Sequence, residues 1–312
     1  MSVPPADQRR VRAAIGRPAL ETVAARAPAG VDVVALEGGV DLETVDFLVP
    51  TAMASHQDRR MLLETLPGLE RLAVVQVLSA GTDWVEDRLP AQATLCSARG
   101  TRDGSVAEWV LAALIGATSG LLACARIHTW TERDLTDLGG QTVLVLGMGS
   151  IGRLVATRLA PFGTEVIGVA SHAREDLHGI DELPALLPRA DAVVVLTPLT
   201  ESTRGLIGAA ELAAMRDGAL LVNAARGAVV DTDPLVAELE AGRLRAVLDV
   251  TDPEPLPDDH PLWSAAGLLS ITPHIAGNSR LSNARAVELA AEQLVRWCAG
   301  QPLRNVVRAP AR

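Results

Sequence analysis

The stretch Gln141-Thr-Val-Leu-Val-Leu-Gly-Met-Gly-Ser-Ile-Gly152 governs how the rest of the chain is read. Val143–Leu146 is the unbroken apolar run of a strand buried on both faces. A glycine-rich turn follows, and then the amphipathic run Arg153–Leu159. Gly147, Gly149 and Gly152 stand in G-x-G-x-x-G spacing. Gly147 permits a tight turn, Gly149 lets a pyrophosphate approach the backbone, and Gly152 lets a helix pack on the strand. The helix N-terminus, with Ser150 and Ile151 in its first turn, offers unpaired N–H groups and a positive dipole end to phosphates. Glycine-rich turns are common; the strand before this one and the helix after it make it a dinucleotide site.

Composition narrows the class. A chain of 312 residues accommodates two domains and a large core, and 48% of it is apolar, as expected for helices covering a parallel sheet. The net charge of −10 opposes nucleic acid or an anionic membrane as the main partner. Cys96, Cys124 and Cys298 are scattered and odd in number. They are read as three buried thiols in a reducing, cytoplasmic compartment, with neither a disulfide frame nor a zinc site. Met1–Arg10 has no apolar core of a secretion signal. Val106–Ala125 is apolar over the length of a membrane span, but Glu108 and Arg126 flank it and Gly, Ser and Thr interrupt it. One buried helix between two domains is the better reading.

Absences also decide. Every basic residue is Arg, and there is no Tyr. A lysine Schiff base, a P-loop and a Tyr-Lys dehydrogenase pair are all excluded. Proton transfer falls to His, Asp, Glu or Cys. The one acid-rich run, Asp252–Asp259, is broken by prolines and reads as a solvated loop, so no metal is expected.

Before the glycine turn, Val31–Leu36, Val45–Val49, Leu72–Leu78 and Ala93–Cys96 read as strands, and Met61–Leu66 as helix. After it, the strands are Thr142–Leu146, Glu165–Val169, Ala192–Leu196, Leu220–Asn223, Arg245–Leu248 and Leu268–Ile271. Helices fit between them at Ile151–Phe162, Glu182–Leu187, Ala209–Met215 and Pro234–Ala241. That rhythm predicts an α/β fold: a doubly wound parallel sheet over 101–280 and a smaller α/β domain from 1–100 plus 281–312. The last helix, Ser282–Ala299, returns the chain so that Asn305-Val-Val307 packs on the smaller domain.

Ligands of a doubly wound sheet bind at its strand C-termini. Asn223-Ala-Ala-Arg-Gly227 places Arg226 there, Asp249-Val-Thr-Asp-Pro-Glu-Pro255 adds Asp249 and Glu254, and Thr272-Pro-His-Ile-Ala-Gly277 adds His274. Each alone has a bland alternative: a solvated arginine, a turn acid, a packed histidine. Together an Arg, an acid and a His supply an anion anchor, an orienter and a proton donor. His56, His128, His172, His178 and His260 keep the bland reading as regards catalysis. His56 is a partial exception, because it follows Thr51–Ala54 at a candidate substrate edge.

The whole chain resembles the NAD(P)-dependent D-isomer specific 2-hydroxyacid dehydrogenases, including glyoxylate/hydroxypyruvate reductases and phosphoglycerate dehydrogenases. The resemblance is carried by Ser79-Ala-Gly-Thr-Asp83, Gly104-Ser-Val-Ala-Glu108, the glycine turn, Leu196-Thr-Pro-Leu-Thr200 and the three strand-end motifs, in order. It implies that Arg226 binds the substrate carboxylate and C2 oxygen, and that His274 exchanges a proton with that oxygen. Glu254 would orient the imidazole, and the Ala80 and Gly81 N–H groups would hold the carboxylate. Asp249 would face the nicotinamide amide, while Thr197, Pro198, Ala224, Ala225, Ala276 and Gly277 would line the cofactor. It further implies a homodimer using Val106–Ala125, and two domains that close on the cofactor.

Cofactor choice turns on the end of the second strand of the larger domain. An NAD enzyme places an acid there for the ribose 2′-OH. Here Ala170 takes that place, followed by Ser171, His172 and Arg174, which suit a 2′-phosphate; NADP is favoured over NAD despite Glu175 and Asp176 further on. The substrate expected is a small 2-oxo or 2-hydroxy acid, because no basic cluster for a substrate phosphate stands beside Thr51–Ala54, Thr82–Trp84 or Trp263. Arg99 and Arg102 read equally well as a charged loop. Formate dehydrogenases share the resemblance but carry Gln where Glu254 stands. Phosphite dehydrogenases keep the Arg-Glu-His set, and a dinucleotide-sensing corepressor is the alternative among binding proteins.

Overall fold

A computed structural model describes residues 10–50, 56–125, 127, 130, 132, 135–174 and 176–310, with the side chains of 56–58 excepted. The chain divides into two compact units, Met1–Arg102 with Arg280–Arg312, and Asp103–Ser279. Unit 1 begins with β1 (Val11–Ile15), α1 (Arg17–Arg26), β2 (Val31–Ala35), β3 (Phe47–Val49), α2 (His56–Thr65), β4 (Val74–Gln76) and β5 (Thr94–Cys96).

Unit 2 opens with α3 (Asp103–Thr118) and α4 (Leu121–Cys124). The βα alternation follows: β6 (Thr142–Leu146), α5 (Ser150–Leu159), β7 (Glu165–Ala170), β8 (His178–Gly179), α6 (Leu183–Leu186), β9 (Ala192–Val195) and α7 (Ala209–Ala214). It continues through β10 (Leu220–Asn223), α8 (Thr232–Glu240), β11 (Arg245–Leu248) and β12 (Leu268–Ile271). Among the described residues these strands form one parallel sheet in the order β12-β11-β10-β9-β6-β7-β8. That is the doubly wound arrangement with one strand added, and its order reverses beside β6.

Strand side chains alternate between faces, so a sheet covered on both sides needs apolar residues at every position. Val143 and Val145 of β6 join one buried cluster with Val194, Val222 and Val247. Leu144 and Leu146 join the opposite one with Val193, Val195, Leu221 and Leu248. Each such side chain contributes about 1.5–3 kcal/mol on burial.

The chain then returns to unit 1 through α9 (Arg280–Cys298) and β13 (Val306–Arg308). That sheet runs β13-β5-β4-β3-β1-β2, parallel except for β13, which pairs antiparallel with β5 through Val306 and Cys96.

Three expectations need correction. The helix read over Val106–Ala125 is two helices, because Gly120 adopts φ 69° and a Cβ there would meet Leu135 Cδ2 at 2.5 Å. Of the three cysteines only Cys96 is buried; Cys124 is exposed on α4 and Cys298 is half-buried. Burial pushes the Cys96 thiol up to about 11. Finally β1, α1 and the two-residue β8 lie outside the strands and helices expected. No helix of the described residues is long and apolar enough to cross a membrane.

Candidate active site

All strands of unit 2 run the same way, so the loops after β6, β7, β9, β10, β11 and β12 gather at one edge of the sheet. Gly147 opens the first of these loops at φ 104°, where a Cβ would lie 2.7 Å from the Leu196 carbonyl carbon. Only glycine tolerates both that backbone angle and that closeness of the β6 and β9 ends. Gly152 packs directly on the Gly147 carbonyl. Gly149 behaves differently: it caps α5 without any side-chain hydrogen bond, and a Cβ there would meet nothing within 4 Å. No side chain caps the first-turn N–H groups of α5, among them those of Ser150 and Ile151.

After β9, Thr203 Oγ1 donates to the Pro198 carbonyl at 2.6 Å and accepts from the Thr200 N–H at 2.8 Å. This pins the loop that carries Thr197, whose buried Oγ1 has no hydrogen-bond partner among the described residues. An orphaned buried hydroxyl beside an uncapped helix N-terminus and an unfilled glycine suits a dinucleotide. After β7, Ser171, His172 and Arg174 are exposed, and Arg174 exchanges paired backbone hydrogen bonds with Leu177, each 2.9 Å.

The chemistry-bearing side chains lie on the next three loops. Asn223, 1% exposed, accepts from the Ala225 N–H at 3.0 Å and donates from Nδ2 to the Arg226 carbonyl at 3.0 Å. That side chain replaces the ladder partners the strand end lacks and sets the course of the Arg226 loop, on which Ala224 and Ala225 also lie. Gly227 then packs tightly on the Thr251 and Asp252 backbone, which brings the Arg226 loop against the loop bearing Glu254. His274 takes φ 53°, a conformation costing a non-glycine residue about 1–2 kcal/mol. Buried Asp249 holds the surrounding loop. Its carboxylate accepts from Thr272 Oγ1 at 2.5 Å and from the N–H groups of Ile275 and Ala276 at 2.8 and 2.9 Å, and its carbonyl accepts from the His274 N–H at 2.8 Å. His274 Nδ1 sits 2.7 Å from Glu254 Oε1, with both side chains nearly half exposed.

Known proteins match this chain in sequence and in fold. Residues 111–276 match the family profile described as "D-isomer specific 2-hydroxyacid dehydrogenase, NAD binding domain". The chain belongs to this family. A D-3-phosphoglycerate dehydrogenase of Mycobacterium tuberculosis is 36% identical over 76% of the chain, although the chain spans only 47% of that protein. A glyoxylate reductase of Thermofilum pendens is 30% identical over 76% of this chain and 75% of its own. Among solved structures, an NADPH-dependent glyoxylate/hydroxypyruvate reductase of Sinorhizobium meliloti, in complex with NADP and sulfate, covers 95% of this chain and 98% of its own. Its TM-score is 0.78 at 28% identity. As a 2-hydroxyacid dehydrogenase the chain is an oxidoreductase that uses a nicotinamide cofactor and acts on a CH–OH group.

Within the dehydrogenase, every candidate from Gly147 to Gly277 lies in unit 2, and Ala80 and Gly81 lie in unit 1 on the loop after β4. Ser79 Oγ donates to the Gly81 carbonyl at 2.7 Å. Among the described residues neither the Ala80 nor the Gly81 N–H donates a hydrogen bond. Trp263 is tied to the Pro257 carbonyl through Nε1 at 2.9 Å. Arg102 donates to the Leu78 carbonyl from Nε and Nη2 at 3.1 and 2.9 Å. The loop Thr51–Ala54, His128 and Glu175 fall outside the described residues, as does the side chain of His56. Sequence reasoning missed Asn223 and Thr272 as loop-builders; a polar residue ending an apolar strand was the available signal.

Proposed function

We propose that this dehydrogenase reduces a small 2-oxo acid to the D-2-hydroxy acid with NADPH. The 2.7 Å pairing of His274 with Glu254, at the sheet edge that also presents Arg226, carries the reading. Arg226 binds the substrate carboxylate and C2 oxygen through its planar fork, which suits two oxygens and keeps its charge. With Nδ1 turned to Glu254, the imidazole has Nε2 left for the C2 oxygen, to which it gives a proton in reduction and from which it takes one in oxidation. Glu254 fixes the orientation of the ring. The Ala80 and Gly81 N–H groups, which donate to nothing among the described residues, are suited to a carboxylate, as the family resemblance implies.

When bound, the nicotinamide supplies or accepts the hydride at C2. Gly147, Gly149, Ser150, Ile151 and Gly152 would hold its pyrophosphate. Thr197, Pro198, Ala224, Ala225, Asp249, Ala276 and Gly277 would line the nicotinamide half. Ala170 offers no carboxylate to a ribose 2′-OH, whereas exposed Ser171, His172 and Arg174 are suited to a 2′-phosphate; this favours NADP over NAD. The NADP-bound relative supports the same choice. Named relatives that reduce glyoxylate or hydroxypyruvate support a short substrate.

The test is reduced-nicotinamide absorbance with glyoxylate, hydroxypyruvate, pyruvate and longer 2-oxo acids against NADPH and NADH. Turnover preferring NADPH is expected. Turnover only with NADH would overturn the cofactor choice, and silence with both despite dinucleotide binding would overturn the reaction and favour phosphite oxidation or a sensor.

A further inference from the structure

Arg99 belongs to none of the machinery above, yet it borders a groove of unit 1. This groove of about 790 Å³ lies wholly within unit 1, between the outward stripe of α9, the C-terminal end of α1 and the segments around residues 99–101 and 304–305. Its size suits a metabolite-sized molecule.

The charges around it do not cancel. Arg26 pairs with Glu288 at 2.5 Å, and Arg304 with Glu292 at 3.1 Å. Among the described residues those two carboxylates are the only acids lining the groove, and both are paired. Exposed Arg99 and Arg285 line the same groove without an ion-pair partner among the described residues. A chain of net charge −10 thus concentrates two surplus guanidinium groups on one concave surface. Among the described residues Arg99 is held through its backbone, its N–H donating to Ser97 Oγ at 3.4 Å and its carbonyl accepting from Asn305 Nδ2 at 2.9 Å. Between the cations the α9 stripe presents Leu281, Ala284 and Leu289, of which Leu281 is 60% exposed. Residues at i, i+3 and i+8 share one helix face, so the groove has an apolar floor under a basic rim.

We propose that this groove binds an organic anion: a carboxylate or phosphate headgroup gripped by Arg99 and Arg285, with a short apolar body lying over Leu281 and Leu289. Guanidinium forks match either headgroup bidentately, and the apolar floor favours a molecule with a chain over a bare ion. None of the residues lining the groove is assigned to catalysis, and the proposal does not depend on which 2-oxo acid the enzyme reduces.

Isothermal titration of the full chain with hexanoate and with butyl phosphate tests it, each run with and without saturating NADPH. Binding of at least one probe that persists with NADPH present is expected, and the better probe identifies the headgroup. Arg99→Gln/Arg285→Gln should weaken that binding roughly tenfold or more while leaving 2-oxo acid turnover unchanged. Ala284→Glu, an exposed substitution on the same helix face, should weaken it independently by placing a carboxylate on the floor. Equal affinity in both variants, loss of binding when NADPH is added, or no binding of either probe would each overturn the proposal.

Discussion

At the scale of single residues, the site separates groups that meet substrate from groups that hold them in place. His274 reaches the edge only because Asp249 satisfies three donors of its loop and so supports a positive φ. The two roles predict different failures. His274→Ala removes the proton donor from a half-exposed position, so kcat should fall about 10²–10⁴-fold while the melting temperature and dinucleotide affinity change little. Asp249→Asn keeps the volume but turns an amide NH₂ toward backbone N–H groups, leaving a buried donor unmet at a cost of about 1–3 kcal/mol. Its melting temperature and kcat should drop together. Calorimetry beside steady-state kinetics separates the two patterns; a His274→Ala enzyme with near-normal turnover would remove the histidine from the mechanism.

At the scale of elements, the strand–turn–helix of 142–159 works through two glycines that do opposite things. Gly147→Ala is strained in the protein itself, because φ 104° and the Leu196 carbonyl 2.7 Å away both exclude a Cβ. It should cost about 2 kcal/mol or more of stability, along with cofactor binding. Gly149→Ala meets nothing within 4 Å, so the unliganded protein should melt as the wild type does. Its NADPH affinity should fall roughly tenfold or more, since the methyl group takes the space left for the pyrophosphate. Melting curves with and without NADPH decide the matter, and an unaltered NADPH affinity in Gly149→Ala would place the phosphates elsewhere.

What the sequence disclosed about these elements follows from the same physics. Strands of the larger sheet were legible because burial on both faces demands continuous apolar runs such as Val143–Leu146 and Ala192–Val195. Strand β1, Val-Arg-Ala-Ala-Ile, was not legible: it carries an arginine whose Nε is paired with Asp32 at 3.1 Å, and its two alanines give little hydrophobic signal. Two-residue β8 is too short for any periodicity. The break at Gly120 rests on one glycine at φ 69° inside an otherwise apolar run, and hydropathy alone continues the helix through it. Arg226, Glu254 and His274 stood out because they are polar residues after apolar strands. The work of Asn223 and Thr272 is a matter of hydrogen-bond direction, which spacing does not encode.

At the scale of the whole molecule, the open question is how many copies act together. Isolated exposed apolar side chains are ordinary, but at the α3–α4 corner they are grouped. Ile115, Leu121 and Leu135 are 37%, 66% and 58% exposed, and Leu135 packs on the Gly120 turn that joins the helices. We infer that this corner joins two copies into a homodimer. The inference has an electrostatic consequence, because two chains of charge −10 repel one another. Salt at about 0.1 M screens that repulsion beyond roughly 10 Å, whereas contact between apolar side chains is not weakened by it. Sedimentation equilibrium should therefore show a dimer whose dissociation constant falls as salt is raised. Leu121→Glu/Leu135→Glu, which puts two carboxylates from each copy into the contact, should sediment as a monomer at the same concentrations. A wild-type chain that stays monomeric at high salt, or a double variant that dimerises as before, would show that this corner is not where the copies meet.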